Sequence, residues 1–68
     1  MFIEVSENRL MTNPFLINLN RIYSLEIDWS KSGNVLEITI ALAPGGKVYS
    51  YFISEANANK IHQKMILH

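Results

Sequence analysis

Glu26, Asp28 and Glu37 are the residues whose types and spacing come closest to acid–base chemistry. Glu26 and Asp28 share one face of a strand, and Glu37 falls near them across the following hairpin. Paired carboxylates exchange protons when a cleft raises the pKa of one of them. Their neighbours on that face are Ser24, Thr39, Ala41, Ser50 and Phe52, mostly small or polar, which instead describes an open, solvated sheet surface that resists stacking. His62, between Ile61 and Gln63, has no carboxylate or nucleophile placed by sequence to make it a base. Gly45-Gly46-Lys47 lacks the rest of a phosphate loop and the helix that follows one, so it reads as a hairpin turn. The absence of cysteine rules out thiolate chemistry, and two histidines, His62 and His68, give no zinc-ligand spacing. No catalytic, cofactor-binding or metal-ligating residue is assigned, and the chain is expected not to be an enzyme.

Binding chemistry is better represented. Tyr23, Trp29, Tyr49, Tyr51 and Phe52 could stack on bases, and a run of strands closed by a helix resembles small single-strand nucleic-acid binders of the Pur type. That alternative requires Arg9, Arg21, Lys31 and Lys47 to gather into one basic strip. The six basic and six acidic residues give a formal net charge of zero, whereas phosphate contacts normally demand a positive surplus. Most of the aromatic residues also fall on the apolar face of the strands, and Glu26, Asp28 and Glu37 on the other face would repel phosphates. The favoured expectation is a protein partner of unknown identity, captured at an exposed strand edge. The first and last strands are the expected edges. Phe15 and Phe52 are the candidate apolar anchors, with Arg21 and Lys47 as candidate charged contacts.

The elements that must position these groups follow from periodicity. Phe2 to Ser6 alternates as a short strand, Glu7-Asn8-Arg9 is a turn, and Asn13-Pro14 is a break before a second short strand, Phe15 to Asn18. Asn18-Leu19-Asn20-Arg21 has the chemistry of a tight turn or one turn of helix. Tyr23, Leu25, Ile27 and Trp29 recur at period two, and so do Leu36, Ile38, Ile40 and Leu42, with turn residues Ser30 to Asn34 between them. After Pro44 to Lys47, Val48 to Ile53 is the last strand. Pairing Ile27 with Ile38 and Leu25 with Ile40, then Ile40 with Tyr51 and Ile38 with Ile53, collects the large apolar side chains on one face. Ser54 is the expected N-cap of a terminal helix whose Ala58, Ile61 and Met65 form an apolar stripe, with Lys60, Gln63 and Lys64 in water. The fold class predicted is α+β: an antiparallel meander of four to five strands with one C-terminal helix packed on one face.

Sixty-eight residues make a single small domain over 1–68 with limited capacity for burial. Apolar residues at 49% of the chain, with one helix to cover two sheet faces, point to a homodimer. No apolar run reaches the roughly 20 residues that span a bilayer. Met1 to Val5 has neither the basic start nor the cleavage site of a signal peptide, so cytoplasmic residence without membrane association is expected.

Phe15-Leu16-Ile17-Asn18, then Ile22 and Leu25-Glu26, then Gly46-Lys47-Val48-Tyr49 and the closing helix resemble small flagellar accessory proteins of the FlbD/SwrD type. The longer turn from Glu7 to Pro14 and the Pro44-Gly45-Gly46 insertion depart from that pattern. The resemblance implies a non-enzymatic cytosolic protein that acts through a protein partner, and it supplies no catalytic residues.

Overall fold

A computed structural model of the chain describes residues 1–30 and 33–66, with side chains through residue 64. Lys31, Ser32, His68 and the side chain of Met65 lie outside the described residues. The fold is α+β. Its elements are β1 (Phe2–Val5), β2 (Phe15–Asn18), β3 (Ser24–Asp28), β4 (Val35–Ala41), β5 (Val48–Ser54) and α1 (Glu55–Ile66), with a 3-10 turn at Leu19–Arg21.

All strand pairs are antiparallel, but the expected single meander is split. β1 and β2 form one sheet, and β3, β4 and β5 form a second. The two meet where Ser6 and Phe52 exchange both main-chain hydrogen bonds, at 2.9 and 2.7 Å. The split has a local cause. Beyond Ser6 the chain turns away through Met11 and Asn13, both at positive φ (59° and 49°), and returns at Pro14, which has no amide to donate. β1 and β5, the expected outer edges, therefore lie beside each other at this bridge. The free edges are those of β2 and β3.

The β3–β4 register is the one predicted, with Leu25 opposite Ile40 and Ile27 opposite Ile38. The β4–β5 register differs from the prediction by two residues: Ile40 pairs with Tyr49, Ile38 with Tyr51 and Leu36 with Ile53. The turn accounts for this. Gly46 N donates to Ala43 O (3.1 Å) around a Pro44-Gly45 centre, with Gly45 at φ +69°. Proline at the first central position and a left-handed glycine at the second are the type II signature. Centring on Pro44-Gly45, instead of one residue later, moves the pairing by two and leaves every side chain on its predicted face.

Those faces give the core. Ile3 and Val5 of β1 meet Leu36, Ile38 and Ile40 of β4, Ile53 of β5, and Ala58 and Ile61 of α1. Ser54 Oγ accepts from Asn57 N at 3.2 Å, capping the helix as its sequence requires. The helix does not cover the inner face alone, because the β1–β2 hairpin and the 3-10 turn share it. Ala58 and Ile61 are buried in this cluster, and Ile17, Leu19 and Ile22 pack against it partly buried.

Three residues assigned to the core face emerge exposed: Tyr23, Trp29 and Leu42. Tyr23 N donates to Ala41 O (2.9 Å) although Ser24 also pairs with Ala41. Tyr23 precedes β3 and has no partner in the β3–β4 register, so it lies off the end of the ladder with its side chain exposed. Trp29 and Leu42 lie one residue beyond the ends of β3 and β4. Conversely, Ala41 on the polar face is buried, its methyl flanked by Ser24 and Val48 on the neighbouring strands.

Candidate functional site

The carboxylates that opened the case for chemistry lie on the outer face of the three-stranded sheet. Glu37 pairs with Arg9 at 3.2 Å, both side chains remaining well exposed. Asp28 accepts from Ser30 N (2.9 Å) and Ser30 Oγ (2.5 Å), which folds the chain at the end of β3. This is turn capping and loop anchoring. Arg9 also donates to Val35 O (3.4 Å), and its guanidinium lies 4.9 Å from the Phe52 ring centre, so the loop after β1 is pinned across this face. His62 is exposed on α1, its ring 5.5 Å from that of Trp29 in an edge-on arrangement that ties the end of β3 to the helix. Gly46 N is spent on the hairpin turn and is not free to hold an anion.

The inner side of the fold carries a groove of about 440 Å³. One wall is Ile17, Asn18, Arg21 and Ile22, from β2 and the 3-10 turn; the other is Ile40, Leu42, Tyr49 and Tyr51, from β4 and β5. Local sequence builds each wall. Asn18 Oδ1 accepts from Asn20 N (3.0 Å) and so starts the 3-10 turn, which swings Arg21 and Ile22 over the sheet. Period two on β5 puts Tyr49 and Tyr51 on the same face, with rings nearly parallel (7°) and centres 6.4 Å apart. Phe15 meets Tyr51 at 84° and 5.1 Å, and the Lys47 ammonium lies 5.4 Å from the Tyr49 ring centre.

Three of the four predicted contact residues therefore surround one place. Arg21 lines the groove directly, while Lys47 and Phe15 buttress its tyrosines. Phe52 is not among them: it lies on the outer face beneath Arg9 and is half-buried. Arg9 is likewise on the opposite side from Arg21, and Lys31 lies outside the described residues, so the four cations do not form one basic strip. Strand alternation places Leu42, Tyr49 and Tyr51 on the core face and assigns no role to Ile22. The available signal was Leu42, a large apolar residue immediately before the Ala43–Gly46 turn, where the strand that would cover it has ended.

A smaller pocket of about 280 Å³ adjoins the groove and shares Ile22 with it; Leu19, Tyr23, Leu25 and Ile61 supply its apolar lining, and Lys64 its charge. Among the described residues, no helix is long and apolar enough to cross a membrane. Comparison with protein-family models, curated proteins and solved structures returns no match.

Proposed function

We propose that this chain is a small non-enzymatic accessory or regulatory domain of the cytoplasm that works by binding a protein partner in the inner groove. The observation that carries the reading is the combination of an open apolar groove with Leu42 at its rim, 55% exposed. Large apolar side chains left in water around a concave surface are characteristic of recognition sites. The resemblance of Phe15 to Asn18 and of Gly46 to Tyr49 to the FlbD/SwrD type points the same way.

Single-stranded nucleic acid is the alternative, and the ring geometry disfavours it. The Lys47 ammonium and the Tyr51 ring both lie against Tyr49, at 5.4 and 6.4 Å from its centre, and Tyr51 meets Phe15 edge-on. Rings engaged in this way offer little open π surface to a base. A homodimer fits the same account through a different surface. Phe2 and Leu16, 64% and 62% exposed, share the outer face of the β1–β2 hairpin. Sedimentation at rising concentration, comparing wild type with Leu16→Glu, tests that assembly.

The partner reading is tested by comparing proteins captured from source-cell extract by the wild-type chain and by Leu42→Asp, with circular dichroism confirming that the variant folds. A protein retained by the wild type and lost by the variant supports the groove. Equal retention removes it, and micromolar binding of labelled single-stranded DNA or RNA that weakens steeply with salt favours the alternative.

A further inference from the structure

The chain has no net charge, yet its charges are sorted between the two sides of the sheet. Glu26, Asp28 and Glu37 lie on the outer face, where Arg9 pairs with Glu37. Around the inner groove the sorting is reversed. Arg21 lines it, Lys47 stands over Tyr49, and Lys64 lines the adjoining pocket. Neither concavity is lined by a carboxylate, and among the described residues no carboxylate lies within ion-pair distance of Arg21, Lys47 or Lys64.

The two concavities meet at Ile22 and together wrap the 3-10 turn. A ligand that fills both needs apolar groups for two adjacent apolar depressions and negative charge for cations on their margins. All three cations are exposed, so they lose little hydration before a ligand arrives and can attract it over a distance set by ionic strength. A basic segment would meet three like charges, and a purely apolar one would leave them uncompensated.

We infer that the occupant of the groove is an acidic segment of a partner protein, in which Asp or Glu residues flank one or two large aliphatic or aromatic anchors. This rests on the docking reading above and adds the chemistry of the partner. The anchors enter beside Leu42 and Ile22, and the carboxylates meet Arg21, Lys47 and Lys64. Phosphates could satisfy the same cations, but nucleobases would find the tyrosine rings already engaged.

The test is selection of random twelve-residue peptides displayed on phage against the folded chain. The strongest peptide is then synthesised with a fluorescent label and titrated at low and moderate salt. The expected result is enrichment of Asp and Glu together with Leu, Phe or Trp, and binding that weakens as salt rises. Affinity should fall at least about tenfold in the double variant Arg21→Glu/Lys47→Glu, whose positions are exposed and leave the core intact. Leu42→Asp should abolish binding. Enriched peptides that are basic or neutral, yet still lost with Leu42→Asp, overturn the acidic assignment and leave groove docking standing. Acidic peptides that bind the double variant undiminished, or are displaced by oligo-dT, overturn it as well. No enrichment of any kind overturns this inference and the docking reading together.

Discussion

Replacing Ser6 by alanine removes one oxygen atom from a side chain that is fully buried, and the structure states what that oxygen does. Its hydroxyl donates to Thr12 O at 2.6 Å and accepts from Asn8 N at 3.3 Å, closing the base of the loop that leaves β1. The main chain of the same residue carries the only bridge between the two sheets among the described residues. The bridge itself survives the substitution, so the loss is confined to the side chain. An unmade bond to a buried partner costs about 1–3 kcal/mol. Thr12 is exposed and Asn8 partly so, and water can replace part of the interaction; the expected loss is therefore about 1–2 kcal/mol. In a domain of this size that corresponds to a fall in melting temperature of roughly 4–15 °C. Urea unfolding followed by Trp29 fluorescence, with thermal circular dichroism in parallel, measures both. Asn8 Nδ2 also holds Thr12 Oγ1 at 2.6 Å, so part of the loop remains tied and unfolding should stay cooperative. A stability change below about 0.3 kcal/mol would refute the reasoning, since it would mean that the loop is not anchored through Ser6.

Other perturbations probe other parts of the structure. Ile38→Asp places a carboxylate at a fully buried position at the centre of β4 and should abolish folding, because the cost exceeds the roughly 3–10 kcal/mol that such a domain has in total; a soluble variant with wild-type circular dichroism would contradict the facing of the sheet. Ser54→Ala removes the bond to Asn57 N and should destabilise by about 1 kcal/mol in urea, with Ser54→Asp close to wild type. Gly45→Ala meets no atom within 4 Å, so its expected cost of about 1 kcal/mol is purely that of holding an L-residue at φ +69°; Gly45→Asn should recover part of it, and equal stabilities would mean that the turn is not type II. Glu37→Lys breaks an exposed pair and should cost less than about 1 kcal/mol, as read from the urea midpoint.

Sequence periodicity carried the parts of the fold in which one face is buried. β3, β4 and the start of α1 follow from alternation and from Ser54, and the β3–β4 register follows because a one-residue slip would bury Glu37. A two-residue slip between β4 and β5 preserves both faces, so alternation is silent about it and only the Pro44-Gly45 turn decides. The division into two sheets was hidden for a related reason. Alternation within β1 and β5 says which way their side chains point but not that Ser6 would stop beside Phe52. The surroundings of the candidate groove were partly legible. Arg21 lines it and Phe15 and Lys47 lie against its tyrosines, while Phe52 is on the outer face, where strand alternation puts it. What sequence could not convey is that the helix and the β1–β2 hairpin divide the inner face between them and leave Leu42, Tyr49 and Tyr51 bordering a gap.

The measurement that bears most directly on that gap is site-specific photo-crosslinking in the source cells. p-Benzoylphenylalanine replaces Leu42 at the groove rim in one variant and Glu26 on the outer face in another. The account predicts a discrete protein adduct from position 42, absent from position 26 and suppressed when Arg21→Glu/Lys47→Glu is added. Nucleic-acid adducts at position 42, or protein adducts from position 26 alone, would contradict it.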